Sequence, residues 1–197
     1  MVKDNEKFKM VTSSPLIVAV AISRKNQIVI NYSKLNKHPI NIKTILKHEL
    51  CHLLLHHYIK VNLPKWLDEG VAQWISGGWG EIIMDRKKIV LNKTIQKGDY
   101  IALNNLTKKF PKREKYLLLA YEESKSIVEY IGREFNKDGI LNILKYLKEG
   151  DDVNTAIIKS LSISFKELEK RWLNQFKKEH IWLNFLGNHL YEILFFF

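Results

Sequence analysis

The feature that most constrains this chain is a pair of histidines four residues apart in an apolar, helix-compatible stretch. His48 and His52 enclose Glu49 in the pattern His-Glu-x-x-His, within residues 45–58. Residues four apart lie on the same face of an α-helix, so both imidazoles can reach one metal ion. Glu49 would lie beside that ion, where a carboxylate can take a proton from a metal-activated water. Because the pattern also occurs by chance in long helices, the prediction of a metal site needs a third ligand.

A candidate third ligand follows the second histidine after a turn that contains Pro64. Glu69 stands in the sequence Trp-Leu-Asp-Glu-Gly of residues 66–70, which is compatible with a second helix. If that helix packs on the first, its carboxylate can reach the same ion as the histidines. Two histidines and a glutamate with an open fourth position are typical of catalytic zinc sites rather than structural ones.

These residues resemble the peptidase MA-like group of zinc metallopeptidases, the gluzincins. The resemblance rests on His48-Glu49-x-x-His52 followed by Pro64-x-Trp66-Leu67-x-Glu69-Gly70-x-Ala72, and it continues more weakly over residues 16–178, including Ala120-Tyr121-x-x-Ser124. It implies a zinc-dependent peptidase in which His48, His52 and Glu69 bind Zn²⁺ and Glu49 is the general base. It also makes Tyr121 the candidate for stabilising the oxyanion, with a packed core tyrosine as the alternative.

The resemblance implies an α+β, zincin-like fold with a small N-terminal β-sheet, an active-site helix and a mainly helical C-terminal lobe. Apolar runs predict strands over 16–22 and 28–32, and capping signals predict an active-site helix from Asn41 to about residue 58 and a second helix from Pro64 to 77–78. Apolar residues at three- and four-residue spacing predict further helices over 112–135, 139–150 and 164–178. We expect one peptidase domain over residues 1–180, with a sheet that is short for its class.

Three polar residues near the motif have less specific patterns. Asp68 adjoins Glu69 but should point to another helix face, so it either supports a ligand or is solvated. Gln73 stands where many gluzincins have an aspartate that holds a ligand histidine, and an amide lacks that charge. His56 is about 12 Å along the helix from His48, too far to share the ion, so we expect it to pack or lie at the surface.

The net charge and the single cysteine exclude some classes of partner and of metal site. The chain carries a formal net charge of +11, but its lysines are spread along the sequence and no nucleic-acid-binding module is recognisable. We therefore expect a lysine-rich, solvated surface and no nucleic-acid partner. The single cysteine, Cys51, excludes an intrachain disulfide and a multi-cysteine zinc site, and we expect it in the core.

Residues 181–197 form an apolar C-terminal tail that includes Asn184, Asn188 and Glu192. The tail is shorter than the roughly 20 residues that a membrane-spanning helix needs. Three interpretations are open: an interfacial helix on a membrane, the beginning of a membrane anchor, or a segment that packs against the domain. No secretory signal is visible at the N-terminus, so the location is open between the cytoplasm and a membrane.

The sequence therefore predicts an enzyme that hydrolyses peptide bonds of a peptide or protein substrate through a metal-activated water, with Glu49 as general base. One alternative is a catalytically degenerate zinc-binding protein. The other is a protein that binds membrane or nucleic-acid surfaces through its charge and its apolar tail.

Overall fold

The computed structural model describes residue 8 and residues 17–35, 41–77 and 91–176, and the fold is given for these. Two strands, β1 (Ala19–Ile22) and β2 (Gln27–Ile30), pair antiparallel, with Ala19 opposite Ile30 and Ile22 opposite Gln27. They are joined by a tight turn in which Asn26 has φ 49°, a left-handed conformation that asparagine tolerates better than most residues. This hairpin confirms the expected small N-terminal sheet.

Most of the rest of the described chain is helical, which confirms the α+β, zincin-like fold class. The helices are α1 (Tyr32–Leu35), α2 (Ile42–Ile59), α3 (Lys65–Ser76), α4 (Leu91–Gln96), α5 (Glu114–Glu134), α6 (Asn136–Lys148), α7 (Val153–Leu161) and α8 (165–176), with a 3₁₀ turn at Leu103–Leu106. The helix predicted over 139–150 begins earlier, at Asn136, whose φ of 59° breaks the chain direction between α5 and α6.

Local capping sets the bounds of the two helices that carry the histidines and Glu69. The side chain of Asn41 accepts a hydrogen bond from the backbone N–H of Lys43 (2.9 Å) at the start of α2. At the end of α3, Gly77 has φ 76° and its N–H donates to the carbonyl of Gln73 (3.1 Å). Glycine adopts this left-handed conformation readily, so α3 ends where the sequence predicts.

Helix α2 lies between the hairpin and α3. On one side, a small apolar cluster of Val18, Ala19, Ile30 and Ile45 joins the hairpin to α2. On the other, α2 packs on α3, and α3 packs on α5 at the edge of the main core, which also includes residues of α6, α7 and α8. This layering turns the face of α2 that carries the two histidines towards α3.

None of the described helices is both long and apolar enough to span a bilayer. Residues 181–197, on which the interpretations of the apolar tail depend, lie outside the described residues.

Candidate metal centre

Helices α2 and α3 bring His48, His52 and Glu69 together in a buried cluster. The Nε2 atoms of His48 and His52 are 3.1 Å apart, and each lies 3.5 Å from Oε2 of Glu69. Tetrahedral zinc holds nitrogen and oxygen ligands at about 2.0–2.2 Å, which separates neighbouring ligand atoms by about 3.4 Å. The triangle of donor atoms therefore has the size that a tetrahedral metal ion requires.

The other ring nitrogen of His52 is held by the carboxylate of Asp68. Nδ1 of His52 lies 2.7 Å from Oδ1 of Asp68, and both side chains are buried. A carboxylate only accepts, so Nδ1 carries the proton and donates, and Nε2 of the neutral ring keeps its lone pair for a metal. Of the two roles open to Asp68 from sequence, this contact rules out a solvated side chain: the carboxylate is buried and holds the candidate ligand His52.

His56 also contacts the carboxylate of Asp68. Its Nε2 lies 3.5 Å from Oδ2 of Asp68, the oxygen that His52 does not use, and its side chain is one-third exposed. The expectation that His56 only packs or lies at the surface is therefore incomplete, because the ring also reaches the carboxylate that holds a ligand histidine.

The two oxygens of Glu69 have different surroundings. Oε1 pairs with Nζ of Lys65, one helical turn earlier on α3. Oε2 faces both imidazoles, is buried, and has no hydrogen-bond partner among the described residues. Because buried polar atoms are nearly always satisfied, an orphaned carboxylate oxygen between two imidazole nitrogens fits a bound cation.

The electrostatics of the cluster favour positive charge between these donors. Burial opposes a charge on His52, but the carboxylates of Glu69 and Asp68 outweigh it and raise the pKa of His52 well above its usual value. Burial would likewise raise the pKa of Glu69, but Lys65 and then His52 hold that pKa well below its usual range. The same carboxylates that attract a proton to His52 would attract a metal ion.

Gln73, at the position where many gluzincins have an aspartate, is used differently. Its Nε2 donates to the backbone carbonyl of Tyr121 (3.1 Å), so the side chain ties α3 to α5. Nδ1 of His48 is buried and has no hydrogen-bond partner in the described part of the chain. Among the described residues, a carboxylate therefore orients His52 but not His48.

The two side chains predicted to act on the substrate lie on different helices. Glu49 is fully buried on α2, next in sequence to His48. Tyr121 is buried on α5, where its ring packs edge-on against Phe110 with ring centroids 5.0 Å apart. Their catalytic roles stay predictions.

Cys51 lies in the main core, as expected, and burial raises the pKa of its thiol to about 11. Its sulfur does not belong to the described cluster of donor atoms formed by His48, His52 and Glu69.

Lys65 was not anticipated from the sequence. The available signal was its position four residues before Glu69 on the same helix, the spacing at which oppositely charged side chains pair. The contact between Asp68 and His52 had no comparable signal, because it joins two helices.

One of three comparisons with known proteins gave a match. A model of the peptidase MA superfamily matches residues 8–178. Searches of curated proteins and of solved structures gave no significant match. The matched region includes both histidines, Glu69 and every described helix, and it spans most of the 197 residues. The chain therefore belongs to the peptidase MA superfamily.

Proposed function

We propose that this protein is a zinc-dependent peptidase. The observation that carries the proposal is the buried triangle of Nε2, Nε2 and Oε2 atoms, with edges of 3.1, 3.5 and 3.5 Å, in a chain of this superfamily. His48, His52 and Glu69 would hold the ion and leave a fourth position open, as catalytic zinc sites do. Zinc at this position would lower the pKa of a bound water molecule to about 7 and would polarise the scissile carbonyl group.

Glu49 is the general base of the proposed reaction. Its carboxylate takes a proton from the attacking water as the carbon–oxygen bond forms at the scissile carbonyl. It then delivers that proton to the leaving amine as the carbon–nitrogen bond breaks, so the carboxylate is regenerated. The position beside His48 on α2, with complete burial, supports this role.

The supporting residues prepare the site for this reaction. Asp68 fixes the tautomer of His52 and raises the basicity of its Nε2, and Lys65 holds one oxygen of Glu69 away from the histidines. Tyr121 is proposed to stabilise the negative oxygen of the tetrahedral intermediate, on the resemblance to the family and its place on α5 beside α3. The substrate is a peptide or a protein.

The test combines metal content with cleavage of a peptide library. We expect the wild-type protein to bind about one zinc per chain, to cleave peptides, and to lose cleavage on chelation. Glu49→Gln should keep the zinc and lose activity by a factor of about 10² to 10⁴, because the amide cannot accept the proton. Glu129→Gln, at an exposed position of α5, is the matched control and should be fully active.

The outcomes separate the proposal from its alternative. A wild-type protein that cleaves equally well without metal, or an active Glu49→Gln variant, would refute the mechanism. Zinc bound at one equivalent without cleavage of any peptide would favour a non-catalytic zinc-binding protein, the alternative suggested by the two-stranded sheet of the described N-terminal region.

A further inference from the structure

A large apolar cavity lies away from the metal centre, along α2. It is an open groove of about 590 Å³ between α2 and α6, with the end of α3 at its edge. Its apolar lining includes Leu50, Leu54, Tyr58, Ile75, Leu141 and Leu144. Five of these six side chains are 49–65% exposed, far above what a packed interior shows. A contiguous exposed apolar surface of this kind is typical of a surface that another element covers.

The charges around the groove are of one sign. Lys47, Lys145 and Lys148 contribute to its lining, and Nζ of Lys148 lies 5.8 Å from the ring centroid of Tyr58. None of the described residues that line the groove is acidic. The groove is thus suited to an apolar segment that carries a negative charge.

We propose that residues 181–197 of this chain dock in the groove as an amphipathic helix. At helical spacing, Asn184, Asn188 and Glu192 lie on one face of this segment, each four residues from the next, and Ile181 and Phe195 lie on the same face. The opposite face is formed by apolar residues: Trp182, Leu183, Leu186, Leu190, Ile193, Leu194 and Phe197. A concave groove between two helices accepts a third helix, whereas a flat bilayer surface leaves it unfilled.

The place where the described chain ends favours this occupant. The side chain of Gln175, near the end of α8, accepts a hydrogen bond from Arg133 (2.6 Å) in the last turn of α5. Helix α6 begins three residues after Arg133 and carries Leu141, which lines the groove. Residues 177–180, between α8 and the docking segment in the sequence, can extend about 13–14 Å. A docking segment on the same chain has a high effective concentration.

Length and charge fit as well. Seventeen residues form a helix of about 25 Å, close to the length of α2 along which the groove runs. Glu192 is the only acidic residue of the segment, and the three charged residues described in the lining of the groove are lysines, so the two charges are opposite in sign.

Thiol labelling of the full chain tests the docking, and its readout does not depend on peptide cleavage. In a Cys51→Ala background, Leu141→Cys places a thiol in the groove and Ile158→Cys places one on α7, outside it. The two native side chains are 60% and 45% exposed. We expect the thiol of Leu141→Cys to be alkylated at least about tenfold more slowly than that of Ile158→Cys, because local opening must precede its reaction.

Matched charge substitutions identify the occupant. Leu186→Asp with Leu190→Asp, on the apolar face, should raise the rate at Leu141→Cys to that at Ile158→Cys. Asn184→Asp with Asn188→Asp adds the same charge on the polar face and should leave the protection unchanged. If the first pair impairs folding, single thiols at Leu190→Cys and Asn188→Cys replace it, and only the former should be protected.

Three results would overturn the proposal. Equal labelling of Leu141→Cys and Ile158→Cys in the intact chain would mean that the groove is open. Protection that grows with protein concentration would assign the groove to a second copy of the chain. Protection that appears only with phosphatidylserine vesicles would assign it to a membrane.

Discussion

Asp68 is the residue that fixes the orientation of the His52 ring in the candidate metal centre. Its carboxylate accepts from Nδ1 of His52 at 2.7 Å and leaves Nε2 of that ring to face Glu69. The neighbouring positions 68 and 69 thus contact opposite sides of one imidazole. A carboxylate in this place fixes the ring and makes its free nitrogen a better ligand.

Replacing this carboxylate should weaken metal binding without removing a ligand. Asp68→Asn keeps the shape and an accepting oxygen but loses the charge, so we expect the Kd for zinc to rise about 10- to 100-fold. Competition with a chromophoric chelator measures that Kd. Asp99→Asn, at an exposed position, should bind zinc like the wild type. An unchanged Kd for Asp68→Asn would show that the contact does not support the metal.

The contact between α3 and α5 depends on a glycine. A Cβ at Gly70 would lie 2.2 Å from the carbonyl oxygen of Ser124 and 2.6 Å from Cγ2 of Val128. The two helix backbones can therefore approach only because residue 70 has no side chain.

Two Gly→Ala substitutions separate this steric effect from helix propensity. Gly70→Ala should lower the free energy of unfolding by about 3 kcal/mol or more, since backbone must move to admit the methyl group. Gly132→Ala, on α5, places its Cβ at 3.4 Å from the Trp74 ring, an ordinary contact. It should change stability by no more than about 1 kcal/mol. Urea denaturation measures both, and equal effects would contradict the steric explanation.

At the scale of the whole molecule, a buried carboxyl group joins the loop before α5 to the helices around it. Oε1 of Glu123 on α5 accepts from the backbone N–H of Ile101 (2.9 Å), and Glu169 on α8 accepts from that of Leu103 (2.7 Å). Burial raises the pKa of Glu123 from 4.5 to about 8, the Ile101 bond opposes the rise, and Glu169 adds to it. The folded protein therefore keeps a proton that the unfolded chain loses.

Stability should accordingly fall as pH rises. Between pH 4.5 and about 8 the folded state binds more protons at Glu123 than the unfolded state, so the free energy of unfolding decreases with pH. The contribution of this group is at most about 1.4 kcal/mol per pH unit. Below pH 4.5 the stabilisation from this group is complete, and above about pH 8 it is lost.

Glu123→Gln isolates this contribution, because the amide keeps an acceptor for Ile101 but does not ionise. Thermal unfolding followed by circular dichroism should show a smaller decrease in Tm between pH 5 and pH 9 for the variant than for the wild type. At pH 9 the variant should be the more stable of the two. Glu129→Gln, exposed on the same helix, should follow the wild type at both pH values. Parallel curves for Glu123→Gln and the wild type would rule out the linkage.

Local rules made much of the architecture readable from the sequence. Asn41 caps the start of α2, and Gly77 in a left-handed conformation ends α3. Both act through interactions within a few residues, so α2 and α3 lie where the sequence predicts them. A break after residue 135 was predicted, but the start of α6 at Asn136 rather than 139 was not, because a positive φ at asparagine has no unambiguous sequence signal. The helical period of the apolar positions predicted the helical lobe for the same local reason.

What the sequence by itself determined is the chemistry of the donors: two histidines one helical turn apart and a glutamate on a following helix. Only the tertiary structure decided how they are used. The packing of α2 on α3 set the triangle of about 3 Å edges, put Asp68 on the far nitrogen of His52, and left Gln73 bound to α5. The physical reason is the range of the interactions along the sequence. Spacing along a helix fixes which face a side chain occupies. The distance between two helices depends instead on contacts between residues far apart in sequence, such as that of Gly70 with Ser124.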